Sequence, residues 1–202
     1  MPFWTTDHSA NAEINDPKRK FRFIVTLDGV DVDGGQAWFA KTANKPSFTI
    51  ATTEHKYLNH TFYYPGSVTW NDVEITLVDP VDPDMVATLS DIVERSGYVL
   101  PNAAGDLTTM SKAKASNALG AVTVTQLNSD GDGIETWTLK NAFIIDLKFG
   151  DLEYGSDDIT ELSMTLKYDW ATCTVADTGG SKAKNGTAVG ATDKFFGTVG
   201  NV

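Results

Sequence analysis

Apolar and polar residues alternate along much of this chain. Phe21, Phe23, Val25 and Leu27 interleave with Arg22, Thr26 and Asp28, and a period of two marks a half-buried strand. Residues 31–35 carry Asp and Gly, which tolerate turn conformations, and 36–41 reads as the returning strand. Residues 21–41 are therefore expected to form a hairpin. A third strand runs over 48–52. Residues 53–62 then turn polar, with Glu54, His55, Lys56, Tyr57, Asn59 and His60 in a segment that still reads as extended. Phe48 and Ile50 anchor it on one side, and Tyr63, Tyr64 and Pro65-Gly66 on the other. A long polar hairpin or loop projecting from the body is predicted. Val68 and Trp70 open a further strand, continuing through Val73, Ile75 and Leu77 to Asp79-Pro80.

A helix follows. Asp82 suits an N-cap, Pro83 the first helical position and Asp84 the helix dipole. Met85, Val86, Leu89, Ile92 and Val93 fall on one helical stripe, and Gly97 is a natural stop. Residues 111–119 form a candidate second short helix ending at Gly120. The remainder returns to period two. Residues 121–127 read as a strand, 128–133 as a turn, and Trp137, Leu139, Phe143, Ile145, Leu147 and Phe149 as one odd-numbered apolar run. The last run is Leu162, Met164, Leu166, Tyr168 and Trp170, alternating with Glu161, Ser163, Thr165, Lys167 and Asp169. The expected fold is mainly β, a small barrel or sandwich with one flanking α-helix. The organisation is an N-terminal arm over 1–20, a β domain over 21–175 and a flexible tail over 176–202, whose only large apolar element is Phe195-Phe196. Seven or more strands leave edges that must be protected or used.

Composition sharpens this picture. The 202 residues are 41% hydrophobic and 21% charged, suited to a globular domain with a real core. Sixteen basic against 27 acidic residues give a net charge of −11, which repels nucleic acid and anionic membranes. The lone Cys173 forms no intrachain disulfide. The N-terminus lacks the basic and apolar regions of a signal peptide, and no apolar run is long enough to cross a membrane as a helix.

Chemistry is sparse. His55 and His60, five apart, would lie on opposite faces of a single strand, which argues against a metal pair; His8 lies in the N-terminal arm. Cys173 has no basic sequence neighbour to activate it. No nucleophile elbow or phosphate loop occurs. The turn 128–133 resembles the start of a calcium loop, but position twelve is Leu139 where a bidentate Glu is required. No catalytic residue, metal or cofactor is expected.

The segment 63–80, with its aromatic-Pro-Gly run leading into a strand that ends at Asp79-Pro80 before a helix, resembles the tail tube proteins of contractile-tailed bacteriophages. Phe21 to Leu27 with Trp38-Phe39-Ala40 is similar to that family's first hairpin. Asn141-Ala142-Phe143 and Phe149-Gly150-Asp151-Leu152 are similar to its closing strands. The resemblance spans about residues 20–175 and implies a non-enzymatic subunit of the virion tail, assembled in the host cytoplasm. Six copies would form a ring, and rings would stack into a tube. The implied partners are further copies, the tail sheath, the baseplate hub, the tail terminator and the tape-measure protein. DNA would pass through without specific binding. Residues 53–62 are then the candidate ring-stacking arm. The polar positions Glu161, Ser163, Thr165, Lys167 and Asp169 are the candidate channel-facing strand. Type VI secretion tubes share this fold, so a secretion or contractile-injection tube is the alternative. A β-sandwich binding module is the alternative of another class.

Overall fold

A computed structural model describes residues 17–29, 40–82, 84–102 and 107–175, with the backbone of 193–194. The expectations for His8, the turn 31–35, the strand at 36–39, Pro83 and Phe195-Phe196 lie outside the described residues. The fold is mainly β. The strands are β1 (Phe23–Leu27), β2 (Ala40–Ala43), β3 (Phe48–Tyr57), β4 (His60–Trp70), β5 (Val73–Val78), β6 (Val122–Leu127), β7 (Gly133–Lys140), β8 (Phe143–Lys148), β9 (Glu161–Lys167), β10 (Trp170–Val175) and β11 (Asp193–Lys194). Two helices, α1 (Met85–Arg95) and α2 (Lys112–Leu119), lie between β5 and β6.

The strands form a five-stranded sheet in the order β1-β6-β7-β10-β11, a four-stranded sheet β2-β5-β9-β8, and a separate two-stranded ribbon β3-β4. Val25, Leu27, Val122, Val124 and Leu139 from the first sheet share one core with Val73, Ile75, Leu77, Leu162, Met164 and Leu166 from the second. Met85, Leu89 and Ile92 close that core from α1, and Leu119 adds to it from α2. Each fully buried Leu or Ile contributes about 1.5–3 kcal/mol relative to exposure, so the period-two stripes are where the stability resides.

Helix α1 begins later than expected. Its N-cap is Asp84, whose carboxylate accepts from the Ala87 N–H at 3.0 Å, rather than Asp82. It ends as predicted, with Gly97 at φ 100° and its N–H on the Glu94 carbonyl. Ser111 caps α2.

Strand pairing corrects several expectations. Among the described residues the hairpin expected over 21–41 is not seen: β1 pairs with β6, and β2 pairs with β5 in the other sheet. The apolar stripe of β1 matches Val122 and Val124 on β6, and this long-range packing outweighs proximity in sequence. Three runs that read as single strands are each two. The chain leaves the ribbon for the four-stranded sheet at Asn71-Asp72. It leaves the five-stranded sheet for the four-stranded one at Asn141-Ala142, and returns at Tyr168-Asp169. The buried parity changes at these corners: Ile144 packs on the core while Ile145 and Phe149 of the expected odd-numbered run are exposed, and past Tyr168 the buried positions are Ala171 and Cys173 while Trp170 is exposed.

These corners are tied together. Asn141 takes a left-handed backbone at φ 56° and donates from Nδ2 to Asp169 Oδ2 at 2.8 Å. Lys112 of α2 donates to both Asp169 oxygens at 2.6 and 2.7 Å. The Lys112 hydrogen bond, then that of Asn141, holds the Asp169 carboxyl below its ordinary range. Tyr168 is buried beside Trp70, ring centroids 5.9 Å apart. Burial, assisted by the Asp72 carboxylate and opposed by the backbone at Ser47, pushes its hydroxyl up to about 12.

Candidate assembly surfaces

The projecting segment is longer and more ordered than its polarity suggests. β3 and β4 pair from Phe48↔Trp70 out to Tyr57↔His60, joined by the two-residue turn Leu58-Asn59. At the base the Phe48 and Trp70 rings meet edge-on at 5.1 Å. Between Ile50↔Val68 and Thr52↔Pro65 the register shifts, setting Gly66 and Ser67 opposite Ala51 alone. Such a bulge breaks the ladder where Pro65 has no N–H to give. Every residue from Thr49 to Thr69 except Thr61 is exposed, so beyond its base this ribbon projects from the described body.

Register sorts the arm into two faces. Thr53, His55, Tyr57, His60, Phe62 and Tyr64 share one, and Thr52, Glu54, Lys56, Thr61, Tyr63 and Pro65 the other. His55 and His60 are therefore on the same face, contrary to the single-strand reading. The turn at 58–59 reverses the chain, so parity along one strand no longer applies. His60 lies edge-on to Phe62 at 5.4 Å. The face with His55 and His60 carries no Lys, Arg, Asp or Glu, while the other bears Glu54 and Lys56. Leu58 at the tip is 88% exposed.

Of the proposed channel-facing residues, Glu161, Ser163, Thr165 and Lys167 do alternate along β9, opposite the buried Leu162, Met164 and Leu166. Glu161 is bonded by Lys41, and Lys167 pairs with Asp72 at 2.6 Å. Asp169 is not part of this row. It sits at the corner after β9, held by Lys112 and Asn141, because the chain changes sheet at Tyr168.

The sequence reading overlooked a second polar face. On the five-stranded sheet, Thr26, Thr123, Thr138 and Thr172 align across β1, β6, β7 and β10. The next row is Ile24, Thr125, Thr136 and Thr174, with the Thr125 and Thr136 hydroxyls 3.1 Å apart. Seven threonines and one isoleucine make an uncharged patch on a chain of net charge −11. The signal was present as Val-Thr-Val-Thr and Thr-Trp-Thr, but threonine at alternate positions also reads as ordinary strand propensity.

Among the described residues one acidic residue is buried. Glu135 on β7 accepts from Lys18, from Lys45 at 2.7 Å and from the Trp137 indole, beside Gln126, whose Nε2 donates to the Arg19 carbonyl at 3.1 Å. Burial alone would raise its pKa; the hydrogen bonds from Lys18, Lys45 and Trp137 overcome this and leave it at about 2, from an ordinary 4.5. The folded pKa is depressed, so the stabilisation is complete above the unfolded value and is lost as pH falls from about 4.5 toward 2. The gap corresponds to roughly 3 kcal/mol. Denaturant titrations between about pH 5 and 2.5 should show this acid loss, and Glu135→Gln should flatten it. An unchanged pH dependence in the variant would contradict the assignment.

Among the described residues no three His, Cys, Asp or Glu side chains gather to hold a metal ion. No described helix is long and apolar enough to cross a membrane. The turn at 128–133 is organised by itself: Asn128 Oδ1 accepts from the Asp130 and Asp132 N–H groups, each at 2.8 Å, and Gly131 takes φ 90°. Cys173 is buried.

No family model and no curated protein matches the sequence. Solved structures do match in fold. A chain in the sheath/tube terminator of an extracellular contractile injection system (PVC, extended state) is 18% identical, with 80% of this chain and 99% of that chain covered and a TM-score of 0.59. A chain in the tube-terminating cap of the anti-feeding prophage is 18% identical over 85% of this chain and 100% of that one, TM-score 0.59. A chain in the sheath-tube complex of the PVC system is 19% identical over 81% and 95%, TM-score 0.55. This chain therefore has the tube-type fold found in contractile injection systems.

Proposed function

We propose that this protein is a structural tube subunit of a contractile tail, and specifically of a phage tail tube in which six copies close a ring and rings stack around a channel for the genome. The observation that carries the reading is the fold likeness, which runs through four-fifths of this chain and almost all of its counterpart. Open edges support it. Among the described residues β1, β2 and β8 each have a strand on one side only, and closure of a ring is a way to pair such edges. The sheath, baseplate hub, tail terminator and tape-measure protein are the partners of this role.

Two sheet faces suit the channel wall: the row Glu161, Ser163, Thr165 and Lys167 on β9, and the threonine patch. Neither gathers the free Lys and Arg that would bind phosphate and release its counterions. The arm, with Glu54, His55, Lys56, Tyr57, Asn59 and His60, is proposed to make the contact between rings.

Electron microscopy of the concentrated protein, with baseplate or tail fractions added as nuclei, tests the reading. Rings or hollow tubes are expected, and the bore in a reconstruction identifies the wall. Compact monomers under every condition would favour a binding module instead. A second reading is supported by the matches themselves, which come from an extracellular injection system and an anti-feeding prophage. It makes the tube a conduit for protein. Particles from producing cells decide: tubes joined to DNA-filled capsids support the phage reading, and capsid-free tubes support the injection device.

A further inference from the structure

The arm must meet a surface, and the topology narrows where that surface lies. β5 runs from Val73, opposite Leu166, to Val78, opposite Glu161. β8 runs from Phe143, opposite Lys167, to Lys148, opposite Ser163. The base of the arm, at Trp70 to Asp72, is thus at one end of the four-stranded sheet. The connection 149–160 between β8 and β9 is at the other.

That far end is both apolar and acidic. Leu152 is 90% exposed, Ile159 is 70% exposed and Tyr154 is fully exposed. Asp151, Glu153, Asp157 and Asp158 lie in the same twelve residues, with no Lys or Arg. A cleft of about 730 Å³ is lined by this connection, and a second of about 540 Å³ opens beside it between Phe149 and Tyr98 to Leu100 after α1. Contiguous exposed apolar groups with a polar rim mark an interaction surface. Two such ends would repel each other through their carboxylates. The arm lacks that acidic excess: Leu58 and its rings supply apolar surface, Lys56 balances Glu54, and His55 and His60 are its other basic side chains.

We infer that the 149–160 end of one copy receives the arm tip of a second copy, a head-to-tail contact of Leu58 and the aromatic face against Leu152, Tyr154 and Ile159. This rests on the proposal that the arm joins rings, and adds the surface it joins to. Donor and acceptor sit at opposite ends of the same sheet, so the contact is heterologous and propagates along the strand direction instead of closing a pair.

Mixed-thiol cross-linking of the full chain tests it. Leu58→Cys and Tyr154→Cys proteins, each labelled with a different mass tag, are mixed at assembling concentration and oxidised. The buried Cys173 is common to both. The expected result is a mixed Leu58→Cys/Tyr154→Cys dimer at least about tenfold above either like-with-like product, because contact raises the local thiol concentration. Predominant Leu58→Cys homodimer would overturn the inference while keeping the arm as an interface, since tips would then meet tips. Tubes that form without either product would overturn the inference and also exclude the tip from the contact between rings. If neither protein associates at any concentration, the inference falls together with the tube reading.

Discussion

Deleting residues 53–57 together with 60–64 is expected to yield a protein that folds normally and builds no tubes. The two stretches are partners in register, from Thr53↔Tyr64 to Tyr57↔His60. Their joint removal keeps the Leu58-Asn59 turn and brings it down onto Thr52 and Pro65. None of the lost side chains is buried, so their removal should change unfolding free energy by less than about 1 kcal/mol. The whole aromatic face disappears with them. Circular dichroism and thermal melting would check the fold, and electron microscopy the assembly. Tubes of normal length from the shortened chain would remove the arm from the mechanism.

Leu166→Ala should do the reverse. Leu166 is fully buried on β9, with Val73 of β5 opposite on one side and Ile144 of β8 on the other. Truncation there removes apolar contact and leaves a cavity, at about 3–4 kcal/mol. For a domain of this size that lowers the melting temperature by roughly 10 °C. Scanning calorimetry reads it directly. Below its melting point the variant should still assemble, because the arm is untouched. A shift smaller than about 3 °C would mean that neighbouring side chains collapse into the space.

The core was legible in the sequence because it depends on a local rule. Val73, Ile75 and Leu77, or Leu162, Met164 and Leu166, declare their buried face by spacing alone, and both sets are in the core. The breaks at Asn71-Asp72, Asn141-Ala142 and Tyr168-Asp169 were not legible, since exposed apolar residues such as Val68, Ile145 and Trp170 stand beside them at strand-like spacing. Asp169 was misplaced for that reason. The partner of β1 was not legible either, because β6 lies about a hundred residues away and only packing selects it. On the arm, polarity marked the projecting segment, but the pairing of His55 with Phe62 and of Tyr57 with His60 depends on where the turn falls. The exposed apolar groups Leu152, Tyr154 and Ile159 gave no period at all, and only their position at the end of the sheet gives them meaning.

Among the described residues the arm joins its own subunit at its base, where the Trp70 ring lies 5.9 Å from that of Tyr168. Substitutions beyond that point are therefore nearly invisible to folding, whereas those in the core are filtered by it. A lineage can rewrite the arm without first finding a compensating change in the body. Where one cell produces two tubes of this shape, mixing of subunits would spoil both, and discrimination must reside in positions free to diverge. The unsupported ribbon supplies such positions, so drift there can separate one assembly from another while the scaffold stays the same.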